Sequence, residues 1–281
     1  MAVALANKKR FMWTALATMA AAYAGTAASF QSASQAGAPG SAPAPASAPA
    51  TGSPAEHAGY LAQHFSADAL NPDVKAVVMH ANLAPVPFGR IVVRTREQVT
   101  SAQAGAQGSQ AASSVYAAQI TYENAGQGLV RRMEVMQTDK GDSATRLELS
   151  YRGYFPFLTQ SISSNAQEAP PIVGARKVVR FDTQTDGHMN FTYFYGAPGQ
   201  DMSADPGQVV CDAGKRYAAS QLNAAIQGQA LELDCQLIDE NGGVTSKVTF
   251  AYLDKYQVAL LLRVKYPDST LDSTIEDFRV E

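Results

Sequence analysis

A chain of 281 residues with 22 basic side chains against 25 acidic ones carries a formal net charge of −3. A mildly acidic balance of this kind leaves no electrostatic footprint for nucleic acid or for an anionic membrane surface. The length fits a single domain with enough residues to bury a sizeable core.

Lys8, Lys9 and Arg10 precede an apolar run over residues 11–22, and small residues follow, which is the three-part layout of a secretory signal. Cleavage after Ala24 makes residues 1–24 a signal peptide. The run is broken by Thr14 and Thr18 and is short for a bilayer span, which favours removal over retention as an anchor and leaves no stable membrane span afterwards. The mature chain then has 19 basic residues against 25 acidic ones, a net charge of −6, and is expected in the periplasm or outside the cell. Residues 25–52 are almost entirely Ala, Pro, Ser, Gly and Thr, a composition that builds no core and reads as an extended linker. Residues 53–281 are expected to form one β-rich domain.

Order begins at Ser53-Pro54-Ala55-Glu56, where a serine, a proline at the first helical position and a glutamate three residues on make a capping box. Asn71-Pro72-Asp73 repeats the start signal, and Val74, Val77, Val78 and Ala81 recur at helical spacing until Pro85 and Pro87. After Gly89 the period becomes two. Ile91 and Val93 open a strand, residues 101–114 form a low-complexity loop, and Tyr116, Ala118, Ile120 and Tyr122 share one face of the next strand. Leu129, Met133 and Val135 are expected to face inward on its partner. Beyond a turn at Lys140-Gly141-Asp142, Leu147, Leu149 and Tyr151 alternate in the same way with Arg146, Glu148 and Ser150.

Residues 160–173, with Pro170-Pro171 and little periodicity, read as a long connection between sheets. A hairpin follows over 177–183 and 188–195, turning at Asp186-Gly187, a dipeptide suited to the positive φ angles of tight turns. Residues 220–227 have room for one or two helical turns, and a regular meander runs from Val244 to the end. Roughly ten strands without interleaved helices predict a mainly β fold, α+β at the N-terminus: an antiparallel β-sandwich or strongly curved sheet preceded by two short helices.

Cys211 and Cys235 are the only cysteines, and Cys235 sits on the apolar face of a strand in which Leu231, Leu233 and Leu237 alternate with polar residues. In an exported chain they form a disulfide, which the chain-entropy account values at about 3.5 kcal/mol for a loop of this length. The bridge is expected to pin the irregular stretch before residue 228 to the best-patterned sheet. No Cys-x-x-Cys spacing is present to tune a thiol, so its role is structural.

No motif for catalysis, metal or cofactor binding stands out. His57 and His64 are seven residues apart, about 10 Å along a helix, too far for one ion. His80 and His188 have no ligand cluster beside them, and Asp201, Asp205 and Asp212, like Asp239-Glu240-Asn241-Gly242-Gly243, lack a calcium-loop pattern and read as polar turns. There is no Gly-x-Ser-x-Gly, no Ser-x-x-Lys and no phosphate cradle. Carboxylate chemistry stays open, because it is defined by separation in space rather than in sequence. The leading candidates for ligand binding are the aromatics Tyr154, Phe155, Phe157, Phe191, Tyr193 and Tyr195, which suit a stacking platform for sugar rings or a mouth for an acyl chain, weighed against plain core filling.

In element order, two short helices before an antiparallel sheet, the chain resembles the half-barrel lipoprotein carriers of the bacterial periplasm. No motif accompanies that resemblance, and no residue role is transferred from it. The function expected is that of an exported non-enzymatic protein in binding or envelope assembly, with envelope proteins or an apolar ligand as partners. The alternatives are a carrier of a lipid-like ligand on a concave sheet and a carboxylate-based hydrolase.

Overall fold

The computed structural model describes residues 53–101, 112–137, 143–164, 169–197 and 205–281, all within one unit, Pro49–Glu281. The signal, the linker, most of the 101–114 loop, the turn at 140–142 and Asp201 lie outside the described residues.

The capping box forms as the sequence dictates: the Ser53 amide donates to Glu56 Oε2 at 2.6 Å and the Glu56 amide donates to Ser53 Oγ at 3.4 Å, starting α1 (Pro54–His64). After a 3-10 turn at Ala67–Ala69, Asn71 Oδ1 accepts from the Asp73 amide and starts α2 (Pro72–His80). Leu61, Phe65, Leu70, Val74 and Val78 of this pair are buried.

Twelve strands follow among the described residues: β1 (Arg90–Ser101), β2 (Ala112–Gly126), β3 (Leu129–Gln137), β4 (Ser143–Tyr151), β5 (Phe155–Ser163), β6 (Val173–Phe181), β7 (His188–Gly196), β8 (Asp205–Ala218), β9 (Gln229–Ile238), β10 (Val244–Leu253), β11 (Val258–Lys265) and β12 (Ser269–Val280). Each pairs antiparallel with the next, and β12 pairs with β1, so the sheet closes into a barrel. The expected curvature is therefore carried to full closure, and the fold is not a sandwich. Closure follows from β1, which is laddered along its whole length on both sides, Ile91 to Ser101 against β12 and Arg90 to Ser101 against β2.

Two seams are thin. β5 and β6 share only the pairs Leu158/Gly174 and Thr159/Val173, and β11 and β12 share only three, Arg263/Asp272 to Lys265/Thr270. The prolines explain the first, since Pro156, Pro170 and Pro171 have no N–H to give to a ladder. What reads in sequence as a connection between two sheets, residues 160–173, instead runs from the end of β5 to the start of β6 and joins two neighbouring strands of one sheet. At the second seam Asn223 fills the gap: its side-chain amide donates to the carbonyls of Ile275 and Glu276 at 3.3 and 3.1 Å, beside a 3-10 turn at Ala219–Gln221. That turn is the only helical structure in residues 220–227. The β6–β7 hairpin forms, but its connection spans 182–187 and Gly187 has no positive φ, so the tight Asp-Gly turn is not used.

The disulfide forms, with Cys211 and Cys235 directly opposite each other on β8 and β9 and their Cα atoms 3.9 Å apart. It does not pin an irregular stretch, because Cys211 lies inside a fourteen-residue strand already laddered to its partner.

One end of the barrel is filled by an apolar cluster that includes Ile91, Val93, Tyr122, Leu253, Val258, Leu260 and Phe278. The β4–β5 turn closes over it. Arg152 and Gly153 both have positive φ, the Arg152 carbonyl accepts from the Ala259 amide of β11 at 2.8 Å, and Arg152 Nη1 donates to the Tyr252 hydroxyl of β10 at 2.6 Å. A Cβ on Gly153 would stand 2.9 Å from the Ala259 carbonyl oxygen and impose a side chain at φ +86°. Gly153→Ala is therefore expected to destabilise the protein by about 2 kcal/mol or more, read from its urea midpoint. An unchanged midpoint contradicts the docking of this turn on β11.

Candidate functional site

Alternate residues of β1 divide cleanly: Ile91, Val93, Thr95, Glu97 and Val99 are buried and Arg94, Arg96 and Gln98 are exposed. The buried set defines the inner face, and the ladder carries that face from strand to strand. Tyr122 opposes Arg132, Ile120 opposes Glu134, Arg132 opposes Glu148 and Glu134 opposes Arg146. The inner face of β3 therefore bears Val130, Arg132, Glu134 and Met136, and that of β4 bears Arg146, Glu148 and Ser150.

This reverses the expected orientation of both strands. Leu129, Met133, Leu147 and Leu149 are buried, but on the opposite face, under the N-terminal helices. On that face Arg131 Nη1 donates to the Ala62 carbonyl of α1 at 3.4 Å, and α1 lies on β3 while α2 lies on β6. Apolar residues were the guide to the interior, and here they serve an outer layer of helix instead.

The inner face thereby gains a belt of charge. Arg132 Nη2 meets Glu134 Oε2 at 2.6 Å, Arg132 Nη1 stands 3.7 Å from Glu148 Oε2, and Arg146 Nη2 lies 3.2 Å from Glu148 Oε2. Glu97 joins from β1: its Oε1 accepts from Thr95 Oγ1 at 2.6 Å and from Ser273 Oγ of β12 at 2.9 Å. Its Oε2 is buried and has no hydrogen-bond partner among the described residues. Thr159 of β5, opposite Glu148, accepts from the Tyr195 hydroxyl of β7 at 3.0 Å, so the belt reaches the far half of the barrel.

Burial raises the Glu97 carboxyl above the ordinary carboxylate range and the nearby Glu134 adds to this, against hydrogen bonds from Thr95 and Ser273 and the charge of Arg132. Burial also opposes the charge on Arg132, but Glu134, Tyr122 and Glu148 outweigh it and hold the guanidinium charged. Burial pushes the Tyr116 and Tyr195 hydroxyls up, so both stay neutral donors. Protonation of Glu97 leaves two carboxylates against two guanidiniums, a neutral set in a site where unbalanced charge is costly.

The belt thus presents at Glu97 Oε2 a buried carboxyl oxygen that donates a hydrogen bond when protonated and accepts one when ionised. Its signal was present in sequence as two Arg-x-Glu triplets, 132–134 and 146–148, which complement each other when laid antiparallel.

The six aromatics proposed from sequence do come together. Phe155 stacks on Phe191 with centroids 4.8 Å apart, Phe157 meets Phe191 edge-on at 5.6 Å, Tyr154 tilts against Phe155 at 4.5 Å, and Tyr193 links Phe191 to Tyr195. The half-buried Phe181 packs among them, and of the six all but the half-buried Tyr195 are buried. Tyr195 alone touches the charged belt, through Thr159.

The histidines are dispersed: His57 is buried on α1, His80 Nδ1 bonds the Ala76 carbonyl, and His188 Nδ1 lies 2.8 Å from Asp212 Oδ1 on an exposed ladder pair. Asp239 accepts from the amides of Asn241 and Gly243, the polar turn expected there. Among the described residues no group of three or more His, Cys, Asp or Glu is placed to hold a metal ion.

No protein-family model matches the chain. No curated protein matches it either. Solved structures that share a likeness include a β-barrel-like protein of domain of unknown function DUF1849 from Brucella abortus, at TM-score 0.40 and 11% identity over 70% of this chain and 99% of that one, and a DUF1329 family protein from Desulfovibrio piger, at TM-score 0.33 and 8% identity over 75% of this chain and 94% of that one.

Because Glu97 holds its proton more tightly folded than unfolded, its contribution to stability is complete below the ordinary carboxylate range. It is lost as pH rises through the raised value. Glu97→Gln keeps an acceptor for Thr95 and Ser273 but cannot ionise. The melting temperature of the variant relative to the parent is therefore expected to climb between pH 4 and pH 7.5, by calorimetry. Parallel profiles contradict the raised value.

Proposed function

We propose that this chain is exported and acts outside the cytoplasm as a non-enzymatic barrel in binding or envelope assembly, engaging a polar group of its ligand or partner at the charged belt. The observation that carries the binding role is Glu97 Oε2: in a network whose other charged members pair, one buried carboxyl oxygen is left without a protein hydrogen-bond partner. Export draws support from the layout of residues 1–24 and from a disulfide between two buried cysteines, a bond that persists in oxidising compartments.

No helix among the described residues is long and apolar enough to cross a membrane. The barrel wall itself carries exposed Arg94 and Arg96 on β1, Lys215 and Arg216 on β8, and Glu276 and Arg279 on β12, where a membrane-spanning barrel would need an apolar band. The aromatic cluster fills its space with its own rings, which weighs against an acyl chain lying there. A second reading, a hydrolase, is favoured by one feature: an acid whose proton is held by burial stands within electrostatic reach of Glu134.

Protein recovered from its own cell envelope tests the proposal by mass spectrometry. The expected spectrum has a mature start near residue 25, a gain of two hydrogens on reduction, and, under native conditions, a bound molecule or partner that Glu97→Gln weakens. A chain beginning at Met1 with free thiols overturns export, and a parent protein that carries nothing overturns the binding role. Turnover in a broad hydrolase screen, lost in Glu97→Gln, selects the second reading.

A further inference from the structure

The thin β5/β6 seam lies against the charged belt. Its two ladder pairs are Leu158/Gly174 and Thr159/Val173, and Thr159 is the residue opposite Glu148 that accepts from Tyr195. Parting the seam by two residue pairs would expose Glu148 and its arginines sideways, through the barrel wall. Along β1 the wall resists this, with eleven pairs to β12 and twelve to β2.

The seam is covered from outside. Leu158, Gln160 and Ile162 of β5 occupy the face that Leu147 and Leu149 share with Met133, the face beneath α1. There the Gln160 amide nitrogen donates to the Pro170 carbonyl at 2.7 Å across the proline gap. On the other side of the seam α2 packs on β6 with Val74 and Val78 buried. The helix pair therefore spans the seam with one helix on the β3–β5 side and one on β6. Its attachment is short apolar burial plus a few polar contacts, whereas most other joints in the wall are full ladders.

We propose that the β5/β6 seam is a lateral gate onto the charged belt and that α1 and α2 are the strap that holds it shut. Helices held by one apolar face release at lower free energy than a closed sheet, so strap and seam form one low-stability unit. Gly174 fits this reading. A Cβ there would stand 2.6 Å from Leu158 Cδ2 and 2.7 Å from the Phe157 carbonyl oxygen, so the few pairs at the seam depend on close backbone approach. The proposal does not depend on what the belt binds.

The test is thiol labelling of Thr159→Cys, 7% exposed in the parent, with the Cys211–Cys235 bridge intact. Loosening the strap by Val78→Ala, or by Val74→Ala, is expected to speed labelling at least tenfold. A control cysteine at Ala251 of β10, fully buried and away from the seam, should keep its rate. Equal acceleration at both positions, or none at either, overturns the gate. Hydrogen exchange on the unaltered chain is the independent check. The amides of 158–160 and 173–175 should exchange together with those of α1 and α2, ahead of β9 and β10. Seam amides as protected as β9 and β10 overturn the proposal even if the cysteine variants fail to fold.

Discussion

Arg132 and Glu148 face each other on adjacent strands inside a closed sheet, and the rest of the interior is arranged to make that tolerable. A guanidinium taken out of water needs both charge and hydrogen-bond partners, or its desolvation outweighs anything it gains. The antiparallel ladder supplies them twice over, because the Arg-x-Glu order of β3 meets the same order on β4 running the other way. Glu97 and its two hydroxyl donors lie beside this lattice and give it a carboxyl that can be neutral. Apolar packing fills the end below, where Ile91, Val93 and Phe278 lie.

That arrangement also explains which parts of the molecule could be read from sequence. Period-two patterning located β1, β2 and the last three strands, because each of these strands shows water one face for part of its length. Capping residues located both helices to within a residue or two. The failures cluster on β3, β4 and β5, which are covered on both faces. On such strands hydrophobicity no longer points inward, since Leu147 and Leu149 serve the helix layer and Glu148 serves the barrel. The charged belt was missed for that reason, and the aromatic cluster was found because aromatic residues are buried whichever face they occupy.

Proline and cysteine had effects different from those their sequence context suggested. Pro156, Pro170 and Pro171 do not end the sheet. They thin one seam of it, so a stretch without clear periodicity still joins two paired strands of the same sheet. The disulfide joins residues already in register on a long ladder, which makes it reinforcement of β8 and β9 rather than an anchor for a loop. In both cases the missing information was pairing partner, which depends on closure of the whole ring.

The charged lattice requires Arg132 and Glu148 to be a coupled buried pair, and a double-mutant cycle measures that directly. Arg132→Met and Glu148→Leu should each destabilise the protein by about 3–5 kcal/mol, since each leaves a buried charge without its opposite partner. The double variant, which leaves Glu134 facing Arg146, should recover at least about 2 kcal/mol of the summed loss. Single effects that simply add would contradict the charged lattice on the inner face.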